Sequence, residues 1–238
     1  MRFKVLSDKG KKRSANEDNY FINENINFFM VADGMGGHAA GEVASQTAVD
    51  STADFDFDLS DPLASLKTLT FKINQEIIKK SQQKTYYQGM GTTFAAVIIK
   101  DHRLYFVNLG DSRIYLYNKS SQSLKKISQD HSLVADLLRE GKITKAEAFN
   151  HPKKNIVTQA LGLEDSLDLD KGQLEISTDD YILLCTDGLT DMVREEKIEN
   201  IFKENTDLES AADELLQRAL SNGGLDNVTL IVAGFNEK

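Results

Sequence analysis

Short apolar runs, some alternating with polar residues and some continuous, recur along the chain and predict β-strands. Several runs are separated by very few residues, and only Asp101 and His102 lie between two of them. Because a parallel crossover needs about a dozen residues or more, neighbours this close can only pair antiparallel. The predicted strands are residues 2–7, 19–23, 27–32, 92–100, 103–110, 113–118, 124–128, 155–161, 173–177, 181–187 and 227–235.

Apolar residues at intervals of three and four predict helices between these runs. The first helix begins at Ala40, the second carries its apolar face over residues 66–77, and the last opens after Thr206. Residues 133–152 are helical but interrupted at Gly141, after which a Thr-x-x-Glu capping box opens a short second helix. Most strands thus arrive in antiparallel runs rather than alternating with helices.

Composition narrows the class of protein. The 238 residues suit one large domain or two small ones, and 40% hydrophobic with 27% charged residues is typical of a globular protein. A net charge of −9 disfavours nucleic-acid and anionic-membrane binding. No apolar run is long enough to span a bilayer, and no signal-peptide pattern opens the chain. The single cysteine, Cys185, cannot form an internal disulfide, so we expect a cytoplasmic protein.

A glycine-rich stretch after residue 33 has two weak nucleotide-binding features. Gly34, Gly36 and Ala39 fit the dinucleotide-binding fingerprint. A P-loop spacing in the same stretch fails because Glu42 and Val43 stand where Lys and Ser/Thr belong. The dinucleotide fold alternates strand and helix throughout, which this chain does not do. We therefore interpret the stretch as a metal-binding loop, because acidic residues in and around it could together hold a cation.

Acidic residues recur next to glycines and at strand ends. Singly, each is explained as a turn or cap residue. Together, a β-scaffold that gathers them at one edge would create a carboxylate cluster, which repels itself unless cations neutralise it. Oxygen ligands favour Mg²⁺ or Mn²⁺ over Zn²⁺, and a bridging Asp would hold a water activated by the metal. The acids are Glu17, Asp18, Asp33, Asp111, Asp187, Asp191 and Asp226.

Seven short motifs, in order, resemble those of the metal-dependent Ser/Thr protein phosphatases, the PPM or type 2C family, and most of all its compact bacterial members. The resemblance covers essentially the whole chain. The motifs are RSANEDN (13–19), DGMGGH (33–38), GTT (91–93), NLGDSR (108–113), QDHS (129–132), TDGLTD (186–191) and DNVT (226–229).

The resemblance implies an α+β fold, a four-layer α-β-β-α sandwich of two antiparallel sheets flanked by helices, with a flap subdomain near 133–155. It implies one catalytic domain over residues 1–238. The implied activity is hydrolysis of phosphoserine and phosphothreonine in proteins by a metal-activated water, as a signalling enzyme that reverses a bacterial Ser/Thr kinase. We expect Mn²⁺ or Mg²⁺, with two core ions and a third, and a monomer that binds neither nucleic acid nor membrane.

The family's metal ligands map onto the acids. Asp33 would bridge the two core ions, and the Gly34 carbonyl would join the second. Asp187 and Asp226 would complete the first. Asp18 would lie near the second ion, directly or through water.

Three further acids have secondary roles in the resemblance. Glu17 occupies a family position near the second core ion. Asp111, with Asp187 and with Asp191 as a further candidate, resembles the third, weaker metal site of bacterial members.

Two non-acidic residues have implied roles at the site. Arg13 matches the arginine that grips the substrate phosphate, and the alternative is a solvated residue in the basic run KGKKR. Several eukaryotic relatives place a histidine after the Asp-Gly pair, where Met35 stands here. The nearest histidine, His38, is either the general acid or a structural residue. His131 is interpreted as structural.

Three other functions fit the sequence less well. A cysteine phosphatase needs an arginine six residues after the thiol, and position 191 after Cys185 is Asp. A catalytically inactive member that binds phosphoproteins need not retain this costly set of carboxylates. Another two-metal hydrolase, such as a phosphodiesterase, is disfavoured by the motif order.

Overall fold

The computed structural model of the chain describes residues 1–37 and 40–235. The strands are β1 (Arg2–Asp8), β2 (Asp18–Asn23), β3 (Phe28–Met35), β4 (Gly91–Thr92), β5 (Phe94–Lys100), β6 (Arg103–Leu109), β7 (Arg113–Asn118), β8 (Ser123–Lys126), β9 (Asp170–Glu175), β10 (Tyr181–Cys185) and β11 (Val228–Gly234). The helices are α1 (Ala40–Ala53), α2 (Pro62–Ser81), α3 (Leu133–Arg139), α4 (Lys145–Phe149), α5 (Asp187–Thr190), α6 (Glu195–Glu204) and α7 (Leu208–Ser221). None of these helices has the length and apolar character needed to cross a membrane.

The strands form two antiparallel sheets. One has the order β1-β11-β10-β7-β8, and the other has the order β2-β3-β5-β6-β9 with β4 paired to β3. Every pairing among the named strands is antiparallel, as the short connections predicted. This arrangement excludes the parallel sheet that a dinucleotide-binding fold requires.

The two sheets pack face to face with helices outside both. Phe29 and Val97 of one sheet pack with Ile182 and Ile231 of the other in the central layer. Helices α1 and α2 cover the outer face of the second sheet, and α6 and α7 cover the outer face of the first. Because β5 and β10 are buried on both faces, their sequences are continuous apolar runs. The predicted α-β-β-α sandwich is confirmed.

The expected flap region consists of two short helices. Ser132 caps α3, Gly141 adopts a φ of +69° after its end, and the predicted capping box between Thr144 and Glu147 opens α4. The predicted strand at 155–161 is wrong, because this segment makes only isolated bridges and joins neither sheet. Its apolar Ile156 is 45% exposed, and only Ala160 and Leu161 at its end are buried, so the segment lacks the continuous buried face of a core strand.

Helix α6 was not predicted from the sequence. It is rich in Glu and Lys and buries only Ile198, Ile201 and Phe202 against α7 and the first sheet. Those three positions fit helical spacing, but the surrounding charges conceal the apolar stripe.

Candidate metal and phosphate site

The antiparallel topology brings the predicted acids to one end of the sandwich. Asp18 opens β2 and lies directly opposite Asp33 near the end of β3. Asp187 follows the end of β10, where Cys185 pairs with Leu230 near the start of β11. Strands that end and strands that begin therefore meet at the same edge. The expectation that a β-scaffold gathers these acids agrees with the register.

A hydroxyl links the two sheets at this edge. Thr186 Oγ1 donates a hydrogen bond to Asp18 Oδ2 at 2.9 Å and accepts one from the backbone N–H of Thr229 at 3.0 Å. All three residues are buried. Asp18 of the second sheet is thereby held against β10 and β11 of the first.

The backbone around Asp33 is fixed by two threonines of the GTT motif. The Asp33 N–H donates to Thr93 Oγ1 at 2.9 Å, and Thr92 Oγ1 donates to the Asp33 carbonyl at 2.9 Å. The Thr93 N–H donates to the same carbonyl at 2.9 Å. These bonds use the main chain of Asp33 and leave its carboxylate for another partner.

Burial and mutual repulsion raise the pKa values of the clustered carboxyl groups. The pKa of Asp33 lies well above its usual range, first because of burial and then because of Asp18, Asp187, Asp111 and Asp226. Burial also raises the pKa of Asp187, with Asp111 and Asp191 adding to the effect. These six acids therefore share one electrostatic environment.

Two of these acids have buried oxygen atoms that lack partners. Burial raises the pKa of Asp18 to about 7, although hydrogen bonds from Thr229 and Thr186 oppose the shift. Asp18 Oδ1 and Asp187 Oδ1 are buried and accept no hydrogen bond from the described residues. Buried carboxylate oxygens are normally satisfied, so this chemistry fits a hard cation such as Mn²⁺ or Mg²⁺.

The carboxylates lie near one another, but their side chains do not form a preorganised metal-binding site. Within residues 1–37 and 40–235, no group of three or more Asp, Glu, His or Cys side chains stands in position to hold an ion. Asp226 Oδ2 accepts a hydrogen bond from Arg13 Nη2 at 2.7 Å. An ion bound by Asp226 would share this carboxylate with Arg13 or displace Arg13 from it, because a carboxylate offers about four lone-pair sites.

Arg13 stands at the rim of the cluster. Its side chain is 51% exposed, and its pKa is raised first by the hydrogen bond to Asp226, with burial opposing. The negative charges of Asp33 and Glu17 also raise the pKa of Arg13. A guanidinium carries five N–H donors, so the contact with Asp226 leaves donors for a phosphate.

Glycines allow the site loops to approach closely. A Cβ on Gly34 would lie 2.2 Å from the Gly41 carbonyl oxygen and 2.6 Å from that of Glu17. A Cβ on Gly188 would lie 1.8 Å from the Asn227 carbonyl oxygen. Gly34 is thus needed for packing against α1, whatever its carbonyl binds. Burial raises the pKa of Glu17, which adjoins this contact.

Asn227 is an organising residue that the sequence analysis missed. Its Nδ2 donates to the carbonyls of Lys9 and Ala15, both at 2.9 Å, and its Oδ1 accepts the Glu17 N–H at 2.8 Å. This one amide holds the loop that carries Arg13. The DNVT motif contained Asn227, but its partners are more than 200 residues away in sequence.

The acids assigned to a third ion occupy the side nearest the flap region. Asp111 is buried, and burial followed by the charge of Asp130 raises its pKa to about 7. Asp191 accepts a salt bridge from Lys154 Nζ at 2.6 Å. After burial, the negative charges of Asp111 and Asp191 both raise the pKa of Asp187. The segment after α4 is therefore tied to one of the proposed ligands.

The histidines and the cysteine take other places. His38 lies outside the described residues. His131 Nδ1 accepts the Gly110 N–H at 3.2 Å, in line with a structural role. Cys185 is fully buried and free of disulfides, and burial raises its pKa to about 12, so it is a thiol rather than a nucleophile near neutral pH. The interpretation of Cys185 as a core residue is confirmed.

The chain is similar to known proteins over nearly its whole length. The family model described as Protein phosphatase 2C matches residues 9–223. A serine/threonine phosphatase stp of Listeria monocytogenes is 39% identical over 241 residues, covering 98% of this chain and 95% of that protein. The crystal structure of the Mycobacterium tuberculosis serine/threonine phosphatase PstP/Ppp superposes with a TM-score of 0.91 at 36% identity, covering 99% of both chains.

A second solved structure adds a metal to the comparison. It is the catalytic domain of PstP in complex with two manganese ions, with a TM-score of 0.88 and 35% identity, covering 97% of this chain and 96% of that one. The match of fold, motif order and length leaves one assignment: the chain belongs to the protein phosphatase 2C family.

Proposed function

We propose that this protein is a Mn²⁺- or Mg²⁺-dependent phosphatase that removes phosphate from phosphoserine and phosphothreonine in proteins. The observation that carries the proposal is the buried carboxylate cluster, in which Asp18 Oδ1 and Asp187 Oδ1 lack partners, beside the half-exposed Arg13. A similar phosphatase that binds two manganese ions supports the choice of metal.

The proposed core ligands are Asp33, the Gly34 carbonyl, Asp187 and Asp226, with Asp18 contributing directly or through water. When bound, the ions neutralise these carboxylates, attract phosphate oxygens and lower the pKa of a coordinated water. Glu17 would assist near the second ion.

Arg13 binds the substrate phosphate in this proposal. Its guanidinium can offer two parallel N–H donors to two phosphate oxygens and stabilise the charge that develops as the ester bond breaks. Asn227 keeps the Arg13 loop in place through its bonds to Lys9 and Ala15. His38 is proposed to protonate the leaving alkoxide.

A third, weaker site is proposed at Asp111 and Asp187, with Asp191 as a further ligand. Lys154 forms a salt bridge with Asp191 Oδ2 and would compete with an ion for this carboxylate. The site thus adjoins the flap region.

The cellular setting is part of the proposal. The enzyme would act as a monomer in the cytoplasm, where the single free thiol of Cys185 stays reduced, and would reverse a bacterial Ser/Thr kinase. Similar bacterial proteins carry serine/threonine phosphatase names, which supports this setting.

The test is phosphate release from p-nitrophenyl phosphate and a phosphothreonine peptide, with Mn²⁺, with Mg²⁺ and with EDTA. We expect hydrolysis only with a metal present. Activity that survives exhaustive chelation would overturn the mechanism. Hydrolysis of a phosphodiester but not of a monoester would instead identify a phosphodiesterase.

A further inference from the structure

A basic loop follows β1 and leads to Arg13. We define the basic loop as residues 9–13, KGKKR. Lys9, Lys11 and Lys12 are exposed, and none forms a salt bridge with a carboxylate among the described residues. Together with Arg13, these lysines place four positive charges within five residues of a chain whose net charge is −9.

The backbone of the basic loop is anchored. Gly10 adopts a φ of +74°, its N–H donates to Asp8 Oδ1 at 2.8 Å, and a Cβ there would lie 2.1 Å from the Asp226 carbonyl oxygen. The Lys11 N–H donates to the Gly224 carbonyl at 2.7 Å. Together with Asn227, these bonds fix the backbone from which the lysine side chains extend, so the flexible ammonium groups remain near Arg13.

Lys11 and Lys12 are close to Arg13 in the chain, and this limits the substrate groups that their side chains can contact. Lys11 and Lys12 precede Arg13 by two residues and one residue, and Arg13 already reaches Asp226 at 2.7 Å. Three residues of an extended peptide span about 10 Å. A substrate whose phosphate contacts Arg13 therefore carries its neighbouring side chains within reach of the two lysines.

We propose that the basic loop is a specificity surface that selects phosphorylated segments with acidic groups next to the phosphoresidue. This inference rests on the proposed phosphatase function. The complementary chemistry is a carboxylate of Asp or Glu, or a second phosphate, within about three residues of the one that is hydrolysed. Flexible ammonium groups suit both as point charges.

A simpler role for the same charges is long-range attraction of any anion. That role would act equally on a small phosphomonoester, because the field does not depend on flanking residues. A flank-selective surface acts only on peptides that carry the second charge. Comparison of substrates with and without flanks therefore separates the two roles.

The experiment uses the full chain with Mn²⁺ and four substrates. These are p-nitrophenyl phosphate and three phosphothreonine peptides of one length, whose flanks are neutral, contain Glu, or contain a second phosphothreonine blocked as its non-hydrolysable phosphonate. The test variant is Lys11→Ala/Lys12→Ala. The matched control, Lys67→Ala/Lys125→Ala, removes the same charge from α2 and β8.

We expect the wild-type protein to hydrolyse the two anionic peptides with a kcat/KM about threefold to tenfold above the neutral one, the size expected for two exposed charge pairs. Lys11→Ala/Lys12→Ala should lose that preference through KM, with p-nitrophenyl phosphate turnover within about twofold of wild type. The control should keep the preference. Higher salt should reduce it, since the Debye length is about 10 Å at 0.1 M.

Binding gives a second measurement that does not depend on turnover. Fluorescence anisotropy with peptides bearing a phosphonate at the reactive position should show the same ranking, and the same loss in the test variant. A preference for the Glu peptide alone, or for the doubly modified peptide alone, would identify the source of the acidic group.

Two results would overturn the inference while leaving the proposed function intact. One is wild-type turnover with no preference for acidic flanks. The other is an equal loss on p-nitrophenyl phosphate and on all peptides in the test variant, which would indicate general attraction. Absence of metal-dependent hydrolysis of every substrate by the wild-type protein would instead overturn the proposed function itself.

Discussion

Arg13 Nη2 donates a hydrogen bond to Asp226 Oδ2 at 2.7 Å. The residue proposed to bind phosphate is thus held by a residue proposed to bind metal. If Asp226 turns to a cation, Arg13 loses this partner and its guanidinium becomes available to a substrate. Metal binding and phosphate binding would then be linked through one shared contact.

This relationship distinguishes the roles of Arg13 and Asp33 in a metal titration. Arg13→Ala should keep or tighten Mn²⁺ binding, because it releases Asp226. Its kcat/KM should fall by about 10- to 100-fold, as expected for losing charged hydrogen bonds to phosphate. Asp33→Ala should weaken both core ions together. Isothermal titration calorimetry with Mn²⁺ measures the first effect, and equal metal loss in both variants, or in neither, would contradict the assignment.

The buried acids predict how the stability of the metal-free protein depends on pH. The pKa values of Asp18 and Asp111 are raised from 3.8 to about 7 in the folded state. A raised carboxyl pKa means that the folded state binds protons more tightly than the unfolded one. The stabilisation is complete below about pH 4 and is lost as pH rises through about 7.

In the chelated protein, the melting temperature should therefore fall between pH 5.5 and 8. Added Mn²⁺ should raise it more at pH 8 than at pH 5.5, since ions replace the missing protons. Asp18→Asn, which cannot ionise, should flatten the slope. A melting temperature that rises with pH across this range in EDTA would show that the cluster does not control stability.

Cys185 provides a test against thiol chemistry. It lies in β10, fully buried opposite Leu230, with its pKa raised to about 12 by burial. Cys185→Ala should cost about 1 kcal/mol of stability through lost packing. Turnover of p-nitrophenyl phosphate should stay within a few-fold. Denaturant unfolding and steady-state kinetics measure the two effects, and a folded but inactive variant would be evidence for a catalytic thiol.

The sequence predicted those parts of the fold that depend on local pattern and short connections. The pairing of β2 with β3 agrees with two apolar runs, 19–23 and 27–32, joined by a short link. Both predicted runs end one residue short of the facing Asp18 and Asp33. The strand predicted at 155–161 was wrong because the apolar residues there favour a strand, but the folded chain offers the segment only isolated bridges and no sheet to pair with.

Long-range polar contacts were beyond sequence reasoning. Thr186 bonds Asp18 across 168 positions, and Asn227 bonds Glu17 across 210. Neither side chain has a periodicity that marks its partner, since the contact exists only after both sheets have packed. The acids could be predicted because carboxylates have a recognisable metal chemistry, whereas hydroxyl and amide groups that position a loop do not.

The third metal site can be tested at Asp111, because the turn that carries it is supported by other residues. Gly110 supplies the φ of +101°, its N–H donates to His131 Nδ1, and Ser112 Oγ lies 2.6 Å from Thr93 Oγ1. The turn therefore does not depend on the Asp111 side chain for these contacts. Asp111→Ala should fold normally, and the removal of a buried carboxyl with a raised pKa should not destabilise the metal-free protein at pH 8.

If Asp111 and Asp187 share an ion outside the core pair, Asp111→Ala should retain two tight Mn²⁺ ions in calorimetry and hydrolyse a phosphothreonine peptide substantially more slowly, even at saturating metal. Asp111→Asn, which keeps the shape but not the charge, should behave in the same way. Lys154→Ala serves as the opposite control, because it frees Asp191 and should strengthen any third ion. Wild-type turnover by folded Asp111→Ala across the whole Mn²⁺ titration would exclude the third ion from the mechanism, and unfolding would assign Asp111 to the turn.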